Sequence, residues 1–210
     1  MTYTAQRPFL KNHKVHDFHQ SLSKEKKIIE KGEHLAVIHQ LNIEFEKNGV
    51  RIDFESFEDN YGDDSVSKFK NRAGVDATFN LISIKTGKII RKGFTIDYKF
   101  RDPNAIWDDF LAEIVSQDFI RFNSKKPIVQ GWATCEHKIN DAILYILPYH
   151  KKAAFVFREE LKRGFDKNRF PLENHRRKIA KNKGWDTISY TIDWDRLQKE
   201  CPRTIIFNYE

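Results

Sequence analysis

The sequence predicts a mixed α/β (α+β) protein, a central mixed sheet flanked by helices, and three observations lead to that class. Two strand-length runs of alternating apolar residues, Val75–Ile84 and Ile89–Phe100, lie either side of a short glycine turn. A segment of helical periodicity precedes them, and further short apolar β-type runs follow with helical stretches between. A helix bundle would carry helical spacing throughout, and a sandwich would carry strands alone.

Residues 1–30 are polar and basic and read as an arm leading into the first helix. Glu33 to Lys47 is that helix: Leu35, Ile38, Leu41 and Phe45 recur at helical spacing, and Val37 widens the stripe. Asn48-Gly49 ends it, because both residues tolerate the left-handed conformation of a helix terminus. Val50–Phe54 alternates as a strand, and the acidic, glycine-containing run Glu55–Arg72 is a surface loop with room for a short helix. Val75–Ile84 and Ile89–Phe100 form a hairpin across Lys85-Thr-Gly-Lys88. Pro103-Asn104 breaks the second strand. Ala105–Phe122 then reads as a helix on Ile106, Phe110, Ile114 and Phe119. Pro127–Cys135, Asp141–Leu147 and Ala153–Phe157 read as strands, followed by a basic helix over Arg158–Arg169 and a mixed tail. The expected organisation is an arm over 1–30, a core over 31–157, and a basic C-terminal extension over 158–210 packed on that core.

At 210 residues, 40% hydrophobic and 32% charged, the chain can build one sizeable core. The longest apolar stretch, Ala142–Leu147, is far too short to cross a bilayer, so no membrane partner is expected. The start, Met1-Thr-Tyr-Thr-Ala, lacks the pattern of a secretory signal. With only Cys135 and Cys201, neither a zinc knuckle nor a disulfide framework is expected, and a cytoplasmic location fits. The net charge of +7 is concentrated. Residues 158–183 hold ten Lys/Arg against four Asp/Glu, and residues 1–32 hold seven against three. Such clusters suit a polyanion, although an ordinary solvated basic surface has the same composition.

The chemistry-bearing run is Lys92–Arg101. Phe94, Ile96, Tyr98 and Phe100 point to one face, and Thr95, Asp97, Lys99 and Arg101 to the other. On the preceding strand, Asp76 falls on the more polar side, so two adjacent strands bring Asp76, Asp97 and Lys99 together. Hydrolysis of a phosphodiester needs an activated water and a place for developing negative charge. A divalent ion on carboxylates supplies both, with a lysine to orient water or stabilise charge. The short pattern is common: an acid two residues before a lysine also occurs at Glu25, Glu136 and Glu160. Asp97 stands apart because it alone follows a second strand with an acid on its polar side. Glu136, just after a strand, is the main competitor. The plain alternative is that Asp97 and Lys99 decorate the wet face of a sheet.

A helix with an acid at its start, a hairpin bearing one Asp, an Asp-x-Lys, then a helix and a strand resembles the PD-(D/E)xK nuclease superfamily. The resemblance covers roughly residues 30–135. It implies a restriction-endonuclease-like αβββαβ core with C-terminal additions. Asp76, in Gly74-Val-Asp-Ala-Thr78, matches the first acid, and Asp97 and Lys99 match the Asp-x-Lys. Glu33 matches the glutamate that many members carry on the first core helix. Val75 stands where a proline often precedes the first acid. The resemblance implies a DNA endonuclease, less often an RNase, with Mg²⁺ or Mn²⁺ held by Asp76, Asp97 and Glu33 and water positioned by Lys99. Many members act as dimers, so a homodimer is compatible. Residues beyond 135 match nothing in that family's pattern.

The phosphate-contacting candidates are Arg158, Lys162, Arg163, Lys167, Arg169, Arg176, Arg177 and Lys178, with Trp185 placed to stack on a base or to pack. Trp107, Trp132 and Trp194 are expected in packing roles, and Gln117 is a polar residue available to assist at the site. His13, His16 and His19 recur every third residue but read as solvated histidines. Two functions of different class remain. One is a metal-dependent nuclease; the other is a non-catalytic nucleic-acid-binding or assembly protein on the same fold.

Overall fold

The computed structural model describes residues 32–210 apart from 61, 63, 123, 124, 171, 174, 175 and 183. The expected basic arm over 1–30, with its three histidines, lies outside the described residues. The protein is mixed α+β, built around a six-stranded mixed sheet and a smaller four-stranded antiparallel sheet. Among the described residues no helix is long and apolar enough to cross a membrane.

Helix α1 (Glu33–Glu46) ends where Asn48 and Gly49 cap the Phe45 and Glu46 carbonyls, Gly49 adopting φ 74°. Its buried stripe is His34, Val37, Ile38, Leu41 and Phe45, so the helix is rotated from expectation: Leu35 is exposed and His34 is inside. Strand β1 (Val50–Asp59) runs further than its alternation suggests and is followed by α2 (Ser65–Arg72), within the segment expected as a loop. The hairpin of β2 (Ala77–Ser83) and β3 (Ile89–Phe100) forms as the glycine turn predicts. Beyond it come β4 (Phe110–Asp118), β5 (Val129–Gln130), β6 (Ala142–Leu147), β7 (Lys152–Phe157), α3 (Arg158–Asp166), β8 (Arg177–Lys181), β9 (Asp186–Ile192), α4 (Trp194–Glu200) and β10 (Ile205–Asn208).

The large sheet has the order β1-β2-β3-β6-β7-β10, antiparallel throughout except for β3 and β6, which run parallel with Asp97 opposite Ile143 and Lys99 opposite Tyr145. A parallel pair needs a long crossover, usually a helix. Here the crossover is β-structure. Ala105–Phe122 is not the expected helix; its centre is β4, paired with β9 and β5 in the second sheet of order β5-β4-β9-β8. The expected strand over Pro127–Cys135 shrinks to Val129–Gln130.

Two cores lie on opposite faces of the large sheet. Val37, Ile38, Leu41 and Phe45 of α1 pack on Phe79, Phe94, Ile96, Leu144 and Phe155. On the other face Ile143, Tyr145, Leu147, Ala154 and Val156 meet Phe110 and Ala112 of β4, Ile192 of β9, Leu161 of α3 and Leu197 of α4. Residues 158–210 therefore belong to both sheets rather than lying over a finished core. Trp132 and Trp194 pack against the second core as expected, but Trp107 is 59% exposed.

Candidate functional site

β3 alternates as its sequence requires, and its polar face is not wet. Asp97 and Lys99 share their face with Ile143 and Tyr145, beneath the second sheet, so Asp97 is only 1% exposed. The register Ala77↔Ile96 carries Asp76 to the position opposite Asp97. Residues so opposed hold their Cβ atoms about 4.5–5.5 Å apart. Asp76 is 3% exposed and sits where β2 begins. Its N–H donates to the Ile96 carbonyl at 2.9 Å, and its Oδ2 accepts the Tyr98 N–H at 2.7 Å, closing the ladder where β2 has not yet started.

Lys99 Nζ donates to Asp97 Oδ1 at 2.6 Å and to the Tyr98 carbonyl at 3.0 Å. Asp97 Oδ2 is buried and takes no hydrogen bond from an N–H. Burial, then the neighbouring Asp97 charge and a hydrogen bond shared with the Asp97 carboxyl, push the Asp76 carboxyl up to about 8, against the opposing pull of Lys99 and of the Tyr98 N–H. Two acids at this spacing in a dry site disfavour double ionisation, and the cations already beside them, Lys99, Lys138 and Arg158, act against that.

Gly74 shapes the other wall. It adopts φ 78°, and a Cβ there would stand 2.7 Å from Lys138 Cδ, 3.0 Å from Asn140 Oδ1 and 3.5 Å from Asp97 Oδ2. Asn140 Oδ1 is a second buried oxygen without a hydrogen bond, its amide being used on the Ala142 carbonyl at 2.8 Å. The Ile139 N–H donates to the Ala73 carbonyl at 3.0 Å, fastening the segment that carries Lys138 and Asn140 to the Gly74 turn. Burial and the Lys99 charge depress the Lys138 ammonium, while Asp97 and Asp76 act in the opposite sense. Glu113 of β4 completes the surroundings: burial raises its carboxyl, and Lys99, hydrogen bonds from Ser116 and Trp132, and Lys138 pull it back.

The structure thus brings Asp76, Asp97 and Lys99 together and leaves Glu33 elsewhere. α1 covers the opposite face of the sheet, and Glu33 Oε1 accepts from Lys151 Nζ at 3.0 Å and from the Tyr209 hydroxyl at 2.9 Å. Its neighbour His34 pairs with Asp59 Oδ2 at 2.8 Å. Among the described residues, no ready-made group of three or more His, Cys, Asp or Glu surrounds a metal position. Gly74, Glu113, Lys138 and Asn140 join the site without having been expected there. Lys138 does carry a signal, as the lysine of the competing Glu136-x-Lys138: the two patterns converge on one place. Gln117 lies on β4, opposite Val129, and not on a helix.

The basic candidates scatter. Arg158 is 7% exposed and holds the Trp132 carbonyl at 3.0 Å and the Cys135 carbonyl, so it belongs to the scaffold and not to an outer basic surface. Arg163, Lys167 and Arg169 are exposed on and just after α3, where Lys162 is half-buried. Arg163 lies 4.0 Å from Glu160 and Arg169 3.5 Å from Glu200. On the edge strand β8 and just before it, Arg176 pairs with Asp193 at 2.7 Å, Arg177 is half-buried and Lys178 is exposed. No family model, curated protein or solved structure matches the chain, so the site is read from its own geometry.

Proposed function

We propose that this protein is a divalent-metal-dependent nuclease, a DNA endonuclease, with Asp76, Asp97 and Lys99 at its centre. The observation that carries the reading is the buried carboxyl pair at opposed strand positions. The order of elements supports it: a helix, a three-stranded antiparallel meander, and an Asp-x-Lys strand beside a parallel strand. The PD-(D/E)xK resemblance implies that order, from which this chain departs by α2 between β1 and β2 and by β4 in the place of the second helix.

The donors suit Mg²⁺ or Mn²⁺. Asp76, Asp97 Oδ2 and Asn140 Oδ1 are hard oxygen ligands, and such ions keep several waters, so few protein ligands suffice. When bound, a divalent ion supplies an acidified water and a place for negative charge on the phosphoryl oxygens. The residues do the rest. Asp76, whose carboxyl burial raises, would serve as a ligand after giving its proton up to solvent. Lys99 fixes Asp97 Oδ1, leaving Oδ2 as that residue's ligand atom. Lys99 and Lys138 together place positive charge where a phosphate must lie. Glu33 is assigned no role at this centre. The exposed residues among Lys162, Arg163, Lys167, Arg169, Arg176, Arg177 and Lys178 are proposed phosphate contacts remote from the chemistry.

One observation favours a second reading, a nucleic-acid-binding or assembly protein without catalysis. A lysine 2.6 Å from a carboxylate that is almost fully buried is also what a structural ion pair looks like. Cleavage of plasmid and of single-stranded DNA separates the two. Wild type in Mg²⁺ or Mn²⁺ is expected to cut, and Asp97→Asn and Lys99→Ala each to lose at least about 100-fold in rate. Cleavage retained by both variants defeats the assignment of the site, and DNA binding without cleavage by wild type supports the second reading.

A further inference from the structure

Helix α2 ends one short turn before the carboxyl pair: the Ala73 N–H donates to the Phe69 carbonyl at 3.1 Å, the Val75 N–H to the Lys70 carbonyl at 2.8 Å, and Asp76 follows. The helix is lopsided in charge. Asp64 caps its start, accepting the Val66 and Ser67 N–H groups at 2.9 Å each, while Lys68, Lys70 and Arg72 fill its second half. Lys70 is turned inward, to Asn60 at 2.9 Å and Glu58 at 3.2 Å. Lys68 and Arg72 are exposed, between them Phe69 is 72% exposed, and Val66, one turn earlier, is 60% exposed. Ile139, tied by its N–H to Ala73, is exposed beside this end of the helix, next to Lys138 of the site.

An exposed phenyl ring between two exposed cations is poorly suited to an apolar protein partner, which would have to strip water from both charges. It suits a polyanion whose bases offer flat apolar faces. We propose that α2 docks a nucleic-acid strand, with Phe69 stacked on an unpaired base and Lys68 and Arg72 on the flanking phosphates. The inference rests on the hydrolytic reading of Asp76 and Asp97 and names its substrate class: nucleic acid with unpaired bases beside the scissile bond, as in a single strand, flap or junction. Bases inside an intact duplex present no free face to the ring.

The test uses the full chain carrying Asp97→Asn, in EDTA, with oligonucleotides containing 2-aminopurine either in a single strand or inside a duplex. The parent is expected to bind the single strand more tightly and to quench its emission. Phe69→Ala, with an unchanged thermal midpoint, is expected to lose the quench and bind about 5- to 150-fold more weakly, the span of one base–aromatic stack. Phe69→Trp is expected to keep both. Lys68→Ala and Arg72→Ala are each expected to reduce the salt dependence by about 0.7 in log–log slope. Equal binding and equal emission for parent and Phe69→Ala, or duplex preferred by the parent, overturns the inference, as does binding of acidic protein in place of nucleic acid. Cleavage by the unmodified chain is read separately, on single-stranded and on plasmid DNA. Stacking without cleavage defeats the hydrolytic reading and leaves the role of Phe69 standing, whereas duplex cleavage without stacking defeats this inference alone.

Discussion

At the scale of single residues the account turns on protons and on one glycine. Asp76 holds its proton to about pH 8 when folded, against 3.8 when unfolded. Between those values the unfolded chain has lost a proton that the folded chain keeps. The contribution of Asp76 is therefore full below about pH 4, declines as pH rises towards 8, and is flat above. In urea titrations at pH 5, 6, 7 and 8, the stability of wild type relative to Asp76→Asn is expected to fall by an amount on the order of a few kcal/mol. A constant difference contradicts the assignment. On the proposed function, divalent-ion affinity is expected to rise through this range, with proton release on binding read by calorimetry in two buffers. Gly74 supplies a second prediction. A side chain there meets both a left-handed backbone and Lys138 Cδ, so Gly74→Ala is expected to cost about 1–3 kcal/mol. Adding Lys138→Ala is expected to recover the part that comes from the collision and not the part that comes from φ, read as a double-mutant cycle.

At the scale of elements, what is legible in the sequence follows from local signals. α1 has an apolar stripe and a glycine stop, and the β2–β3 hairpin has strict alternation either side of a turn, so Asp76, Asp97 and Lys99 line up from residue spacing alone. β4 is illegible for a physical reason. Phe110 and Ile114 fit a helical period, while Phe110 and Ala112, the buried positions, fit a strand; what decides is pairing with β9, far along the chain. Without β4, Glu113 has no visible reason to be near the acids. Between the expected strands over Pro127–Cys135 and Asp141–Leu147 no local signal ties Lys138 and Asn140 to the acids, because the bonds that hold this connection run to Ala73 and to Arg158. Arg158 looks like one more surface cation in a basic run, and nothing in a basic helix pattern marks the member that turns inward. Removing it leaves the Trp132 and Cys135 carbonyls without their donor. Arg158→Ala is expected to cost about 2–4 kcal/mol and to speed hydrogen exchange across 131–140. Lys167→Ala is expected to stay within about 0.5 kcal/mol.

At the scale of the whole molecule, the site exists because the large sheet is covered on both faces. α1 alone would leave Asp97 and Lys99 in water. The second sheet and α3 bury them, and the strands that build this cover come from residues 105–130 and 177–192, two segments separated by β6, β7 and α3. The chain is thus sewn together by non-local pairs, β4 with β9 and β7 with β10. A chain ending at residue 157 is expected to lack a cooperative thermal transition, since β4 loses its partner and β7 becomes an open edge. Appearance of a sharp transition in that truncation would show that the first 157 residues are self-sufficient. The most direct measurement of the central claim is anomalous diffraction from a crystal soaked in Mn²⁺. The account predicts a peak about 2.1–2.2 Å from carboxylate oxygens of both Asp76 and Asp97. Occupied ion sites elsewhere, with Asp97 still held only by Lys99 and nothing between the two acids, would contradict it.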